Sequence, residues 1–522
     1  MLFDGKIMIG KSGDEEIYIY PRMANRHGLI AGATGTGKTV TLKVLAESFS
    51  DAGVPVFLAD AKGDLSGMIK QGEMNENVAK RVEKLSLDKY SFALKSYPTT
   101  FWDVYQTSGL SLRTTISEMG PLLLSRVLGL NDTQTDIMTI IFKIADDENL
   151  LLIDTKDLKS MLKHVSDKAD TYSVTYGNMA KQSLAAITRS VVALESEGGE
   201  IFFGEPAIDI KDWFIPEFDG RGRIQILNCQ QLMQSPTMYA TFMLWLISEL
   251  FELLPEAGDL DKPKMVFFFD EAHMLFDDAP KALLTKIEQM VKLIRSKGVG
   301  IYFVTQNPRD IPDSVLAQLG NKIQHALRAY TPAEQKNIKA AAASFRENPE
   351  INTIEALQAL GTGEALISVL DEEGVPTIVK QAKILPPQSM MGATDESDIN
   401  LNIMNDKLYI KYKDFVDRDS AFEFLQRRAE VEEKMAALEA EKLEYEKERL
   451  AREKEEEKER QRLEKEAAKE RERREREYQK QLERERREAE KERERRQREM
   501  DKFGRKITQR FARGLFDTLM KR

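Results

Sequence analysis

The 522-residue chain is poor in the residues that cross-link proteins and bind transition metals: it has one cysteine and four histidines. A single thiol, Cys229, excludes an internal disulfide and fits a reducing compartment. We interpret Cys229 as a small buried apolar residue. No Cys/His cluster indicates zinc, and we expect His27 and His273 to be packing or hydrogen-bonding residues.

Long hydrophobic runs are also missing. The nearest candidate, residues 238–254, is interrupted by Glu249 and Glu252 and is shorter than the roughly 20 apolar residues that span a bilayer. The N-terminal segment has an acidic residue at Asp4 and no long apolar core, unlike a secretory signal. We therefore expect no integral membrane segment, a cytoplasmic location, and a buried or amphipathic helix at 238–254.

The chain has no excess of basic residues, because its formal net charge is −10. This argues against a broad basic surface that coats nucleic acid, although a local basic channel remains compatible with it. Within residues 441–500, 22 acidic and 23 basic side chains nearly cancel. The acidity therefore belongs to the rest of the chain.

The charged tract predicts a long helix over residues 421–502. Acidic residues precede basic ones at the favourable i,i+4 spacing in the pairs Glu456/Arg460, Glu472/Arg476, Glu483/Arg487 and Glu492/Arg496. Its apolar residues are sparse for a heptad seam, so a solvated single helix is favoured and a weak coiled coil is the alternative. Residues 503–522 predict an amphipathic basic helix that docks on its own ring or on a protein partner, with contact to acidic lipid as the alternative.

The remaining chain alternates strand and helix patterns. Residues 1–27 predict a short β lead-in, and residues 28–69 and 216–385 predict an α/β core with a mainly parallel sheet. Residues 70–215 are dominated by helical patterns, which indicates a mostly helical insertion. Residues 386–420 are interpreted as a linker.

A glycine-rich loop follows the first buried strand and opens a helix. It fits G-x-x-x-x-G-K-[ST], in which backbone N–H groups cradle phosphate oxygens. The predicted nucleotide-binding residues are Gly32, Ala33, Thr34, Gly35, Thr36, Gly37, Lys38 and Thr39. The lysine can reach the β- and γ-phosphates of ATP, and the Thr39 hydroxyl is placed to bind Mg²⁺.

Such a loop needs a carboxylate for the metal at the end of a neighbouring strand. The run Val266–Phe269 predicts a buried strand, and Asp270 follows it directly as the expected Mg²⁺ ligand. Glu271 comes next and is expected to act as general base on the attacking water. The alternative, an acidic helix cap, explains neither the strand nor the paired acids.

Two further strand ends carry polar residues. Gln306 ends the next strand, where it can contact the γ-phosphate or the attacking water, with loop capping as the alternative. Asp60 and Asp64 follow the second strand of the core, where support of the metal shell and a structural turn are equally compatible with the sequence.

Arg295 lies at the end of the helix before the Gln306 strand. In a ring it can reach a neighbour's ATP and stabilise charge on the γ-phosphate; a cation at a helix C-terminus is the alternative. Arg328 is a weaker candidate for the same role.

Together, GATGTGKT, LADAKGDL, VFFFDEAH and GVGIYFVTQNP resemble the HerA–FtsK superfamily of P-loop ATPases, closest to the bacterial HerA-like proteins, over roughly residues 20–385. The resemblance implies a RecA-like core that forms a hexameric ring, hydrolyses ATP between subunits and translocates double-stranded DNA. It aligns Lys38 and Thr39 with the Walker A pair and Asp270 and Glu271 with the Walker B pair. It places Gln306 as the polar sensor.

Two functions are compatible with these residues. The first is a ring-forming, DNA-translocating ATPase, which the resemblance favours. The second is a non-translocating P-loop ATPase that scaffolds or switches a protein partner, which the acidic core favours. A nucleotide kinase fits less well, because the paired acids suit activation of water.

Overall fold

The computed structural model describes residues 1–276, 281–329 and 331–503. The predicted basic helix at 503–522 lies, except for its first residue, outside these ranges. The chain divides into two units, Met1–Arg427 and Arg428–Arg522.

Thirteen strands are found among the described residues. They are β1 Leu2–Phe3, β2 Lys6–Ser12, β3 Glu15–Ile19, β4 Gly28–Ala31, β5 Val56–Asp60, β6 Thr99–Asp103, β7 Leu110–Ser111, β8 Ile224–Asn228, β9 Met265–Phe269, β10 Val299–Thr305, β11 Asn321–His325, β12 Glu364–Ser368 and β13 Lys380–Ile384.

Sixteen α-helices are found among the described residues, and the last of them extends from the first unit into the second. They are α1 Lys38–Asp51, α2 Glu76–Leu85, α3 Ile116–Val127, α4 Asp132–Asp147, α5 Thr155–Asp167, α6 Ala169–Tyr176, α7 Lys181–Leu194, α8 Glu200–Phe202, α9 Pro236–Leu253, α10 Lys281–Ile294, α11 Asp313–Leu316, α12 Pro332–Ala343, α13 Thr353–Ala359, α14 Glu396–Met404, α15 Tyr409–Tyr412 and α16 Ala421–Phe503.

All thirteen described strands belong to one sheet, in the order β1-β2-β13-β12-β11-β4-β10-β9-β5-β8-β6-β7, with β3 paired to β2. The centre of the sheet, from β11 through β4, β10, β9, β5 and β8 to β6, is parallel. Beyond β11, the strands β12, β13, β2 and β1 extend the sheet in antiparallel pairs, and β12 and β13 form a hairpin. The predicted α/β fold with a mainly parallel sheet is confirmed.

The strand order decides which loops meet. β10 pairs with β4 on one side and with β9 on the other, and β5 pairs with β9. All four strands are parallel, so the segments that follow them emerge at the same carboxyl edge. This edge carries the glycine-rich loop and the polar residues that follow the other three strands.

β6 and β7 were not identified from the sequence. β6 pairs in parallel with β8 and places Phe101 and Trp102 in the sheet. Trp102 packs edge-on against Tyr412, with ring centroids 5.3 Å apart. Thr99–Asp103 combines β-branched and aromatic residues, which favour a strand. The helical patterns on both sides of it instead predict a mostly helical segment.

Helix α9 explains the longest apolar run. It begins with Pro236 in its first turn after Ser235, whose hydroxyl accepts a hydrogen bond from the backbone N–H of Met238. The side chains of Phe242 and Trp245 are buried in the main hydrophobic core, as predicted for a buried helix. Among the described residues, no helix combines the length and apolar character that crossing a bilayer requires.

The segment predicted as a linker, residues 386–420, is folded as part of the first unit. Gln388 and Ser389 are buried, and their backbone N–H groups donate to the Glu47 carboxylate at 2.8 and 3.0 Å. Helices α14 and α15 follow. This segment therefore contributes to the surroundings of helix α1.

The predicted charged helix is present as α16, Ala421–Phe503. Three of the four predicted ion pairs are observed: Glu472–Arg476 at 2.7 Å, Glu483–Arg487 at 3.3 Å and Glu492–Arg496 at 3.9 Å. Its side chains with described exposure are exposed from Glu432 to Arg498. Such exposed pairs contribute little to stability individually, so propensity and many weak pairs together support the helix.

Candidate functional site

The glycine-rich loop forms the turn between β4 and α1, at the carboxyl edge of the sheet. Gly32, Gly35 and Gly37 have φ values of 153°, 76° and 114°, which side chains with a Cβ rarely adopt. A Cβ on Gly32 would lie 2.5 Å from the Cβ of His325. The loop can therefore form only with glycine at these positions, and it turns its backbone toward the start of α1.

Lys38 begins α1 and folds back over the loop. Its ammonium donates to the carbonyl oxygens of Gly32 at 2.7 Å and Ala33 at 3.2 Å. Burial lowers the pKa of Lys38, while Glu271 opposes that shift. An ammonium held in this way is a poorly hydrated cation beside the backbone cradle, which suits the binding of a polyphosphate.

His325 packs against the glycine-rich loop at Gly32. It is not among the site residues predicted from the sequence. Its Nδ1 donates to the carbonyl of Glu364 at 2.9 Å, so its Nε2 accepts from the hydroxyl of Thr41 at 2.8 Å. Burial lowers the pKa of His325 to about 4, so the ring is neutral at physiological pH. It fixes helix α1 to β12 directly behind the phosphate loop.

Asp270 and Glu271 follow β9 at the same edge. Burial, reinforced by Glu271, raises the pKa of Asp270 to about 7. Thr39 and Asp270 supply the hydroxyl and carboxylate oxygens that Mg²⁺ prefers, and such an ion would stabilise the ionised form of Asp270. The donor set therefore fits magnesium.

Glu271 has a left-handed backbone, with φ 47° and ψ 48°. This conformation is uncommon for a residue with a side chain, and strain of this kind clusters at functional sites. It leads the chain from β9 into the turn at Ala272–Leu275.

Lys62 is the closest cation to Glu271. Its ammonium lies 2.6 Å from Oε1 of Glu271, and Gln306 donates to Oε2 at 3.4 Å. Burial acts to raise the pKa of Glu271, but the hydrogen bond and charge of Lys62 outweigh it, so the pKa is lowered. Glu271 is therefore ionised at neutral pH, as a general base requires.

Gln306 joins this cluster because β10 lies between β4 and β9. The predicted sensor residue and the predicted base are therefore in contact. The motif LADAKGDL contains Lys62 but gives no sign of its partner. Only the order of the strands brings Lys62 close to Glu271.

Asp60 holds the turn that carries Lys62. Its carboxylate accepts hydrogen bonds from the backbone N–H groups of Lys62 at 3.2 Å, Gly63 at 2.7 Å and Leu65 at 3.0 Å. Burial and the nearby Asp64 raise the pKa of Asp60 to about 6. Of the two interpretations left open by the sequence, these bonds support the structural turn.

Arg295 lies at the opposite edge of the sheet. It precedes β10, whose seven residues separate it from Gln306 by about 20 Å at about 3.3 Å per residue. It lines a cavity of about 480 Å³ together with Arg22, Arg26 and Lys292. Burial, then Arg26, lowers the pKa of Arg295, while Asp259 in the same lining opposes the shift. With four cationic residues and one acidic residue in its lining, the cavity carries an excess of positive charge.

The other residues discussed in the sequence analysis are buried or hydrogen-bonded to the backbone. His27 accepts from the backbone N–H of Ile301 at 3.0 Å and donates to the carbonyl of Val291 at 2.8 Å, as expected of a hydrogen-bonding residue. Cys229 is buried, also as expected. Arg328 donates to the carbonyl of Gln358 at 2.8 Å.

Comparison with known proteins places this chain in a family. A model of the helicase HerA-like C-terminal family matches residues 6–522. The chain belongs to this family. The predicted resemblance to HerA–FtsK proteins is thereby confirmed, and the HerA-like chain is a P-loop ATPase.

Curated relatives include two archaeal proteins named DNA double-strand break repair helicase HerA. The protein of Sulfurisphaera tokodaii is 24% identical over 407 residues, covering 76% of this chain and 72% of the relative. The protein of Sulfolobus acidocaldarius is 22% identical over 410 residues, with the same coverage of 76% and 72%.

Solved structures with a similar arrangement include the plasmid coupling protein TrwB in complex with a non-hydrolysable GTP analogue. It is 13% identical, with a TM-score of 0.48, covering 73% of this chain and 90% of that structure. VirB4 of Thermoanaerobacter pseudethanolicus is 17% identical, with a TM-score of 0.45, covering 73% and 96%.

Proposed function

We propose that this HerA-like chain is a ring-forming motor that couples hydrolysis of ATP to movement along double-stranded DNA. One observation carries the proposal: the glycine-rich loop, Asp270, Glu271 and Gln306 lie at the carboxyl edge of the sheet, and a cationic cavity lies at its amino edge. A head-to-tail ring brings those two edges of neighbouring subunits together.

The carboxyl edge supplies four roles. The backbone of the glycine-rich loop and Lys38 bind the phosphates of ATP. Thr39 and Asp270 hold Mg²⁺, which when bound neutralises charge on the β- and γ-phosphates. Glu271 takes a proton from the attacking water, and Gln306 orients that water through its contact with the same carboxylate.

The amino edge supplies the missing cation. Among the described residues, Lys38 and Lys62 are the cations this chain brings to the hydrolysis cluster, whereas Arg295 is about 20 Å away across the sheet. From a neighbouring subunit, Arg295 can approach the γ-phosphate and stabilise the charge that develops there. Arg22, Arg26 and Lys292 line the same cavity and strengthen its attraction for a polyphosphate.

Such a head-to-tail contact forms a closed ring when the rotation between neighbours closes, and the resemblance to HerA–FtsK proteins implies six subunits. The relatives named DNA double-strand break repair helicases support double-stranded DNA as the substrate of such a ring. The net charge of −10 directs DNA to local cationic surfaces rather than to the whole exterior.

The decisive experiment measures ATP hydrolysis by the full chain with and without duplex DNA at low salt, where phosphate contacts are strongest. We expect duplex DNA to raise the rate several-fold and raised salt to remove the increase. The variant Lys38→Ala is the control, since it retains the fold but lacks the phosphate-binding ammonium. A rate that duplex DNA leaves unchanged at low salt contradicts the motor.

Particle size measured with and without ATP and duplex DNA tests the ring directly. A six-subunit particle that forms with ATP supports the proposal, and a particle that stays monomeric under all four conditions contradicts it.

A second function, a P-loop ATPase that switches a protein partner, is favoured by helix α16. Its exposed side chains of both signs offer a long surface for a complementary helix. In this case DNA leaves the hydrolysis rate unchanged, and the bound nucleotide instead alters capture of a protein partner.

A further inference from the structure

The lysine that pairs with Glu271 comes from an exposed turn. The side chain of Lys62 is 47% exposed, whereas that of Glu271 is only 9% exposed. A lysine has a flexible four-carbon stem, so holding its ammonium in one place costs rotamer freedom. The contact of 2.6 Å between this ammonium and Oε1 of Glu271 therefore depends on how firmly the backbone of the turn is held.

Packing alone does not hold this turn. A cavity of about 240 Å³ lies beside it, and the residues that line this cavity include Lys62, Gly63, Ser66, Gln230 and Thr394. An open space next to a backbone removes the van der Waals contacts that would otherwise fix it. Polar contacts are therefore left to set the position of the lysine.

Gln230 holds the turn from the neighbouring strand. Asp60 and Asn228 are paired at the ends of β5 and β8, and Lys62 and Gln230 each follow two residues later. The side-chain Nε2 of Gln230 donates to the backbone carbonyl of Lys62 at 2.8 Å. A Cβ on Gly63 would lie 2.7 Å from this Nε2, so glycine is needed for the amide to come this close.

Ser66 holds the end of the same turn. Its hydroxyl donates to the carbonyl of Gly63 at 3.1 Å and accepts from the backbone N–H of Thr394, also at 3.1 Å. Ser66 is buried. Thr394 lies 328 residues further along the chain, in the segment predicted as a linker. This segment therefore supports the turn through Ser66.

The three polar side chains around the turn divide its backbone groups between them. The Asp60 carboxylate accepts from the N–H groups inside the turn. Gln230 and Ser66 donate to the carbonyl oxygens of Lys62 and Gly63. Asp60 thus shapes the turn, and the two donors hold it against the rest of the first unit.

We propose that Gln230 and Ser66 are positioning residues for ATP hydrolysis, because they hold the turn so that the ammonium of Lys62 stays on the Glu271 carboxylate. The inference rests on the proposed role of Glu271 as general base and adds the residues that keep its partner in place. Both act through Lys62. Through Ser66, the position of this lysine also depends on the segment 386–420.

The first test measures kcat and KM for ATP hydrolysis by the full chain. We expect Gln230→Ala and Ser66→Ala each to lower kcat by about three- to tenfold, the effect of losing one hydrogen bond, with KM changed by less than about twofold. Gln231→Ala is the matched control. Gln231 is exposed and its side chain caps no helix, so both constants should stay normal.

The second test repeats Gln230→Ala in a chain that already carries Lys62→Met. A residue that acts only through the lysine has nothing left to position there, so kcat should change by less than about twofold. A contribution to general stability would instead lower kcat by the same factor in both chains, and this result would overturn the positioning role.

The failure of this inference can be told apart from that of the proposed function. A normal kcat in Gln230→Ala, together with slow turnover of Glu271→Gln, overturns the positioning role and leaves the base in place. Near-normal turnover of Glu271→Gln overturns the proposed base itself. Calorimetric binding of ATP shows that each variant is folded. If Ser66→Ala does not bind ATP, the variant of the exposed Gln230 decides the question.

Discussion

The ammonium of Lys62 lies 2.6 Å from Oε1 of Glu271, although 209 residues separate the two along the chain. The ion pair joins the turn after β5 to the end of β9, the neighbouring strand. It keeps the glutamate ionised and restricts its side chain, so the proposed base depends on a lysine outside the phosphate-binding motifs.

Replacement of Lys62 by methionine is expected to lower kcat for ATP by about ten- to a hundredfold, with KM changed by less than about threefold. Lys62 contacts Glu271, the proposed general base, rather than the phosphate loop, so loss of the lysine affects the chemical step more than the binding of ATP. Steady-state hydrolysis measures both constants. Lys62→Arg keeps the charge and should recover much of the rate; a normal kcat in Lys62→Met would show that the ion pair has no part in hydrolysis.

Glu271→Gln is expected to bind ATP normally and to hydrolyse it about 100- to 1,000-fold more slowly. The amide keeps the shape of the side chain but cannot take the proton of the attacking water. Binding is measured by calorimetry and turnover by phosphate release. Near-normal turnover would remove Glu271 from the role of general base.

The affinity of the site for Mg²⁺ with nucleotide is expected to rise from pH 6 to pH 8. The pKa of Asp270 is raised to about 7, so below that pH the metal must displace a proton, whereas above it the carboxylate is already ionised. Because one group titrates, the affinity for Mg²⁺ rises by at most about tenfold per pH unit. Titrations at pH 6, 7 and 8 measure it.

The control for this prediction is Asp270→Asn, which removes the titrating group and should flatten the dependence between pH 6 and pH 8. An equal slope in Asp270→Asn and in the unaltered chain would assign the proton to another residue.

Subunits carrying Arg295→Ala are expected to be inactive alone and to regain activity when they co-assemble with Lys38→Ala subunits. In the mixture, an intact phosphate site faces an intact arginine from the neighbour. Hydrolysis is measured on assemblies in which mixing is verified by mass. Arg328→Ala is the matched comparison and should stay active alone, because Arg328 donates to the backbone carbonyl of Gln358 in its own subunit. A co-assembled mixture without activity contradicts the shared site.

Glu47→Leu is expected to lower the free energy of unfolding by about 3 kcal/mol. The substitution leaves the N–H groups of Gln388 and Ser389 and the Ser389 hydroxyl without their acceptor. Urea unfolding of the full chain measures the change. Ser389→Ala removes only one of these donors and should cost less; an equal loss in both variants would mean that the Ser389 hydroxyl bond accounts for the whole effect and that the two N–H groups contribute nothing.

Much of the site could be predicted because its parts are local in sequence. The glycine-rich loop needs a fixed spacing of glycines before Lys38, and Asp270 needs only an apolar strand before it. The long helix α16 could be predicted for the same reason, since charge pairs four residues apart act within one element.

Other parts depend on which strands are neighbours. Gln306 meets Glu271 because β10 inserts between β4 and β9, and Lys62 meets Glu271 because β5 pairs with β9. His325 lies beneath the loop through the β11–β4 pairing. The glycine-rich loop, the paired acids and the α/β class could therefore be predicted from the sequence, because their signals are short-range patterns. The contacts of Lys62 and His325 and the opposite placement of Arg295 could not, because they depend on the order of strands across the sheet, which packing sets.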